Sequence, residues 1–214
     1  LELIFEVIYA LSQRLLGDPA LSVVALSLFM NLLVLPLYRR ADELQEEEKQ
    51  TEMRLKKGVD HIKKTFRGDE RMLMLQTYYR QNGYKPTYVL KGAASLLLEI
   101  PFFIAAYRFL SNPKLLGGVS LGPISDMGAP DGLIHIAGLT VNLLPFIMTA
   151  VNLVSCVIFT RDSLTKTKIQ LYCMALFFLV FLYSSPSGLV FYWTLNNLFS
   201  LAKTFVTKVK GAYT

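Results

Sequence analysis

RRADELQEEEKQTEMRLKKGVDHIKKTFRGDERMLMLQTYYRQNGYKPTYVLK, residues 39–91, is charged almost throughout, and apolar segments lie on both sides of it. Two helical faces can be read inside it. Leu55, Val59, Ile62 and Phe66 fall at i, i+4, i+7 and i+11, one stripe of a 3.6-residue helix. Met72, Leu75 and Tyr79 fall at i, i+3 and i+7, a second stripe. Between the stripes, Gly68 is a good helix stop and Asp69 a good N-cap. Asn82-Gly83, with Pro86 beyond, ends the second helix. The stretch therefore reads as an antiparallel pair of amphipathic helices. Each stripe is narrow, so the pair can zip to itself with little apolar surface left to build a domain core. A solvated helical loop is the plainer reading. Position favours a functional one, because this is the sizeable soluble element of the chain.

Composition sets the solvent. Of the 214 residues, 53% are hydrophobic, too many for an ordinary soluble domain of this length. The net charge of +6 fits either nucleic acid or a membrane surface. The apolar runs favour the membrane, because basic residues flanking such runs orient them across a bilayer; no nucleic-acid sequence recognition is expected. Cys156 and Cys173 fall inside apolar runs without ligand-spaced partners, so they read as packing residues rather than a disulfide or a metal pair. No cofactor is expected. No basic run leads the chain as in a cleavable signal, and the sequence opens on Leu1 rather than Met, so an upstream segment is expected.

In chain order, residues 1–16 place Leu1, Ile4, Phe5, Ile8, Leu11 and Leu15 on one face, as in a short helix lying in the membrane interface. Gly17-Asp18-Pro19 breaks and restarts the chain, with Asp18 as N-cap and Pro19 at the first helical position. Residues 20–38 form a first span, near the ~20 residues a crossing needs, with Asn31 inside and Pro36 in its last turn. After the charged region 39–91, residues 92–110 form a second span with Glu99 at its middle and Pro101 beyond. Residues 111–131, rich in Gly and Pro, form an external loop. Residues 133–159 form a third span, long enough with Pro145 inside to predict a kink or tilt. Residues 169–184 and 189–206 form the fourth and fifth, joined by Ser184-Ser185-Pro186-Ser187-Gly188. The expected class is all-α: a five-span bundle with a cytoplasmic helical hairpin and an N-terminal interfacial helix, one domain over 1–214.

The basic segments are the hairpin, the 160–168 connector and the C-terminus, whereas the 111–131 loop carries Lys114 against Asp126 and Asp131. An external N-terminus puts every basic segment in the cytoplasm. The fourth span, residues 169–184, covers only ~24 Å at 1.5 Å per residue against a ~30 Å hydrocarbon core, so the bilayer beside it is expected to thin.

Pro186-Ser187-Gly188-Leu189-Val190-Phe191-Tyr192-Trp193, followed by Asn196-Asn197-Leu198, resembles the signature that opens the last span of the YidC/Oxa/Alb membrane protein insertases. Leu96-Leu97-Leu98-Glu99-Ile100-Pro101-Phe102-Phe103-Ile104-Ala105-Ala106-Tyr107 resembles that family's second core span, and Leu35-Pro36-Leu37 the end of its first. Asp126, Ala129 and Asp131 resemble its external motif, and the charged hairpin matches in place and length. The pieces occur in order over essentially the whole chain. Any one alone is a weak signal; together they are a strong one.

The resemblance implies a hydrophilic intramembrane groove, open to the cytoplasm and sideways to lipid but closed to the outside. A substrate's polar tail enters it, and the substrate's apolar span leaves into lipid. It also implies a bacterial inner membrane location, with newly made membrane proteins as substrates, the Sec translocase and the ribosome as candidate partners, and surrounding lipid. The chain past Lys210 is too short for a ribosome-binding extension. The family's groove arginine falls at Asn31, its glutamine before Met-Pro at Glu99, and its polar pair late in the third span near Ser155 and Cys156. The fixed positive charge is therefore absent.

The groove candidates are Asn31, Glu99, Asn142, Asn152, Ser155, Tyr192, Trp193 and Asn196. The capture candidates on the hairpin are the two stripes already named. Asn31, Asn142 and Asn152 also fit plain interhelical hydrogen bonding, and Tyr192 and Trp193 fit interfacial anchors. Glu99 is harder to assign a structural role, since an intramembrane carboxylate points to function. His135, near the outer interface, reads as ordinary. No P-loop, G-x-S-x-G or H-E-x-x-H is present, so no enzyme is expected. The alternative functions are a small ion- or proton-coupled transporter or channel using Glu99, and an assembly factor that holds other membrane proteins without moving them. Inverted repeats would favour the transporter, and the sequence has none.

Overall fold

The computed structural model describes residues 1–85, 94–136, 138–159 and 165–212. Pro86, the first residues of the expected second span and most of the 160–168 connector lie outside the described residues. The described elements are helices α1 (Glu2–Leu16), α2 (Pro19–Thr65), α3 (Gly68–Gln81), α4 (Ala94–Leu110), α5 (Pro113–Leu116), α6 (Leu144–Phe159), α7 (Thr165–Leu182) and α8 (Ser187–Ala212). An antiparallel pair, β1 (Ile134–Ile136) and β2 (Leu139–Val141), completes them, so the chain is mostly rather than purely helical. It divides into two compact units: Leu1–Leu33 with Phe103–Thr214, and Val34–Phe102.

The breaks follow local chemistry. Gly17 closes α1 in the left-handed region at φ 69°, where the absence of a Cβ removes the steric cost. Asp18 then caps α2, its Oδ1 accepting from the Ala20 N–H at 2.7 Å and the Leu21 N–H at 3.1 Å. Gly68 (φ 57°) opens α3 behind Arg67, which stands at the N-cap without a side-chain hydrogen bond, so Asp69 lies inside the first turn rather than at the cap as expected.

Two expectations need correction. The first span and the first hairpin helix are one element, because α2 runs unbroken through Pro36 to Thr65. Pro36 lacks an N–H and leaves the Leu32 carbonyl without its usual partner, but the loss of one bond does not end a 47-residue helix. The third apolar segment is helical only from Leu144, since residues 134–136 and 139–141 pair as antiparallel strands. Pro145 therefore sits in the first turn of α6, where its missing N–H has no intrahelical partner to lose, and it does not kink the interior.

In the first unit, rings hold the helices together. Phe5 of α1 meets Phe109 of α4 and Tyr192 of α8 at 6.1 and 5.9 Å, and Tyr9 meets Phe109 edge-on at 5.6 Å. Trp193 of α8 packs edge-on against Phe103 of α4 at 4.9 Å and beside Phe178 of α7 at 5.5 Å. Such pairs contribute about 0.5–1.5 kcal/mol each beyond burial. That matters in lipid, which is as apolar as the side chains and gives helices little reason to associate. Helix α6 packs on both α7 and α8. The outside is apolar: Leu28, Phe29 and Leu32 of α2, Val154 and Val157 of α6, and Leu176, Phe177 and Val180 of α7 are all exposed. So much exposed apolar surface on successive helices suits hydrocarbon rather than water. α2 contains a stretch long and apolar enough to cross a membrane, and α6 and α7 carry shorter apolar stretches.

In the second unit, α2 and α3 form the expected hairpin. Leu55, Val59 and Ile62 are buried, Phe66, Leu75 and Tyr79 are half-buried, and Met72 is 68% exposed. The two helices approach at Gly58, where an added Cβ would run into the Tyr78 ring. Toward the hairpin's base the Tyr84 hydroxyl donates to Glu48 Oε1 at 2.5 Å, with the Tyr79 ring 4.9 Å from that of Tyr84. Burial pushes the Tyr84 phenol up, and the Glu48 carboxylate adds to the shift, so Tyr84 keeps its proton at neutral pH and donates it. Glu48 is itself buried, and its Oε2 has no hydrogen-bond partner among the described residues. Tyr84→Phe should therefore cost about 1–3 kcal/mol locally. It should speed amide exchange in residues 45–82 while leaving α6 and α8 unchanged. Unchanged hairpin protection would show that this contact does not hold the hairpin shut.

Candidate functional site: a polar cluster inside the bundle

An apolar bundle can carry only polar groups that find partners or water. Ser27 and Asn31 lie at i and i+4 on α2, and Tyr192 and Asn196 at i and i+4 on α8, so each pair shares a helix face. These faces meet. The Asn196 carbonyl oxygen accepts from Ser27 Oγ at 2.7 Å and from Asn31 Nδ2 at 2.6 Å. Asn31 Nδ2 also donates to the Ser27 backbone carbonyl at 2.8 Å. Tyr192 lies one turn before Asn196 on the same face of α8 and is buried. Ser27 is fully buried, and Asn31 and Asn196 are half-buried. Beside the cluster an apolar cavity of about 240 Å³ opens between α2 and α8, lined by Val24, Ser27, Leu28, Leu195, Leu198 and Phe199.

The remaining candidates fall elsewhere. Trp193 and the Tyr192 ring are buried in the aromatic packing of the bundle. Asn142 sits just ahead of α6, where its side-chain oxygen accepts from the Gly132 N–H at 3.0 Å and its Nδ2 donates to the Tyr183 carbonyl at 2.8 Å. Asn152 and Ser155 are half-buried on α6, and the Ser155 Oγ is shielded with no hydrogen-bond partner among the described residues. The Asn197 Nδ2 is in the same condition. Glu99, half-buried on α4, belongs to the second unit rather than to the cluster. Arg108 does not enter the cluster: it pairs with Glu2 at 3.6 Å, and both side chains are well exposed. Among the described residues no group of His, Cys, Asp and Glu is arranged to hold a metal.

Sequence reading passed over Ser27. A serine in an apolar run carries little signal by itself. Its i, i+4 relation to Asn31 was the available clue.

Residues 11–212 match the family described as 60Kd inner membrane protein. The chain belongs to that family. It is similar to the membrane protein insertase YidC of Treponema denticola, 24% identical over 96% of this chain and 37% of that protein. It is also similar to the membrane protein insertase YidC of Ralstonia nicotianae, 28% identical over 89% of this chain and 32% of that protein. The chain thus spans about a third of the length of these curated relatives. A crystal structure of active YidC insertase with the first transmembrane domain resolved superposes with a TM-score of 0.60 at 20% identity, over 94% of this chain and 45% of that one, which establishes a shared fold.

The cluster can be tested as a structural unit. Asn196→Ala leaves the Ser27 hydroxyl and the Asn31 amide without their common acceptor. Interhelical hydrogen bonds in membranes contribute about 0.6–2 kcal/mol, so thermal unfolding in detergent should move down by a comparable amount. In a double-mutant cycle, Asn31→Ala and Asn196→Ala should couple by about 0.5 kcal/mol or more. Strict additivity would mean that the contact is not formed.

Proposed function

We propose that the chain is the core of a membrane protein insertase that receives the polar tail of a substrate at the Ser27–Asn31–Asn196 cluster and releases the substrate's apolar span sideways into lipid. The observation that carries this reading is a hydrogen-bonded polar cluster inside a bundle whose outside is apolar. Family membership and the YidC relatives support it, and so do the shielded Ser155 Oγ and Asn197 Nδ2, polar atoms available for a partner. Moving a polar or charged group through hydrocarbon costs several kcal/mol, and a hydrated polar site partway across shortens the dry path. The substrate's own span then supplies the driving force, at about 0.8 kcal/mol per buried CH₂. The scheme needs no covalent step, nucleotide or cofactor.

In this reading α2, α4, α6, α7 and α8 provide five crossings of a bacterial inner membrane. The N-terminus and residues 111–143 are outside, and α1 lies in the interface with Leu3, Val7 and Leu11 toward lipid. The α2–α3 hairpin is cytoplasmic. Leu55, Val59 and Ile62 close the hairpin on itself, while Met72, Leu73 and Met74, exposed and adaptable, meet a substrate's apolar segment. Asn152 adds polar surface along the tail's route within the first unit. Newly made membrane proteins are the substrates, with the Sec translocase and the ribosome as partners.

The cluster also specifies the tail. Asn31 occupies the place where the family is expected to carry an arginine, and its amide is already donating to Asn196 and to the Ser27 carbonyl. Arg108 is paired at the surface. The site therefore attracts a carboxylate weakly and handles neutral or basic tails at least as well. Asn31→Arg should raise insertion of an acidic-tailed single-span substrate about threefold or more, equivalent to about 0.7 kcal/mol, with little change for a matched neutral tail. Insertion yields into proteoliposomes measure this. A wild-type preference for acidic tails that Asn31→Arg leaves unchanged would overturn the assignment.

A further inference from the structure

The hollow between α2 and α8 measures about 240 Å³, more than the ~150 Å³ at which a dry apolar cavity in a protein takes up benzene. Val24 and Leu28, one turn apart on α2, form one wall, and Leu195, Leu198 and Phe199 of α8 the other. Ser27 is the one polar side chain among the lining residues, and its hydroxyl already donates to the Asn196 side-chain oxygen at 2.7 Å. That hydrogen bond holds the two helices at a set distance beside the hollow. The short side chains of Val24 and Ser27 are too small to fill the space left open.

Water does not suit this space. A buried water needs two to four polar partners, and the walls offer it only the spare lone pairs of one hydroxyl. Depth excludes a lipid headgroup or a soluble ion. Val24 and Leu28 lie about 7–14 Å along α2 from Pro19, and Leu195 and Phe199 about 12–18 Å along α8 from Ser187. The hollow therefore sits well inside a hydrocarbon core of ~30 Å. Its rim opens to that core. Leu28 and Leu198 are exposed, and Leu21 and Leu32, at i−7 and i+4 from Leu28, are exposed on the same face of α2. In a bilayer, acyl chains lie against such a face. An empty hollow forfeits the dispersion contacts of its lining, and a chain that bends into it restores them.

We propose that this hollow is a lipid site whose ligand is the methyl-terminal part of one phospholipid acyl chain, packed against Val24, Leu195 and Phe199. The inference uses the bundle's membrane setting and not its insertase role. Recognition is by shape. The chain leaves hydrocarbon to enter the hollow, so it gains no hydrophobic free energy; it gains contacts, and only where its width fits. The bound chain completes the seam between α2 and α8 next to the Ser27–Asn196 hydrogen bond.

The test uses the full chain in phosphatidylcholine vesicles doped with phosphatidylcholine that carries a diazirine in the methyl-terminal half of one chain. After illumination, peptide mass spectrometry locates the label. Half-buried Val24, Leu195 and Phe199 should each take up at least three times the label of Val180, which is 73% exposed on α7. A matched lipid with the diazirine next to the carboxyl should show no such preference. Val24→Phe, which places a ring in the hollow, should cut labelling of Leu195 and Phe199 at least threefold and leave Val180 unchanged. Label at Val24, Leu195 and Phe199 no higher than at Val180 in the unaltered chain overturns the proposal, whether or not the variant folds; the hollow is then shut or kept for a protein segment. Crosslinks between two copies of the chain from a photoreactive amino acid at position 28, in place of lipid label, assign the hollow to a second copy and also overturn it. So does unchanged labelling of Leu195 and Phe199 in folded Val24→Phe, or a preference seen only with the carboxyl-proximal diazirine.

Discussion

The carbonyl oxygen of Asn196 is where the polar interior of the bundle is tied together. It accepts from Ser27 at 2.7 Å and from Asn31 at 2.6 Å, joining α2 to α8 across a mostly apolar interior. In lipid, helices gain little from hiding apolar surface from one another, so packing and a few hydrogen bonds decide which faces meet. The ring contacts around Phe5, Phe103 and Trp193 supply the packing. The amide and hydroxyl cluster supplies the register, because a helix rotated by one residue would strand three polar groups in hydrocarbon at several kcal/mol.

The loop end of the bundle solves a related problem with acidic side chains. Asp131 collects the free N–H groups ahead of α6, with Oδ1 accepting from Leu143 at 2.7 Å and Leu133 at 3.2 Å and Oδ2 from Leu144 at 3.0 Å. A carboxylate at a helix start answers both the unpaired donors and the dipole. Asp126 does the same for the glycine-rich turns. A nearly uncharged, Gly- and Pro-rich stretch can therefore be well built: its order comes from two carboxylates and from glycines where backbones nearly touch, as at Gly117 and Gly128.

Much of this was legible in the sequence. The break at Gly17-Asp18, the C-terminal end of α3 and the turn before α8 each follow from one or two residues whose local chemistry overrides everything else nearby; the start of α3 does not, since Arg67 rather than Asp69 stands at its cap. The hairpin stripe of Leu55, Val59 and Ile62 followed from its period. Two things were hidden by the same cause, tertiary context. Pro36 reads as part of the last turn of the first span, yet α2 continues to Thr65, since one missing hydrogen bond is a small defect in a long helix. Residues 134–136 and 139–141 are apolar enough to read as helix, yet they pair with each other as strands, and the helix waits for the cap that Asp131 provides. Of the polar cluster, Asn31 and Asn196 stand out in sequence because amides are rare in apolar runs. Ser27 does not, and neither does the pairing itself, since nothing in either segment names its partner. Asn142 looked like an interior amide and instead bridges Gly132 and Tyr183 at the loop end.

The central claim is that the face shared by Ser27, Asn31 and Asn196 meets the substrate's polar tail. A photoreactive amino acid at position 31 or 196, and as a control at lipid-facing Val180, would be tested against a stalled single-span substrate. The tail should crosslink from positions 31 and 196, and the control position should give none of that product. Equal yields from all three positions, or tail crosslinks from position 180 alone, would contradict the account.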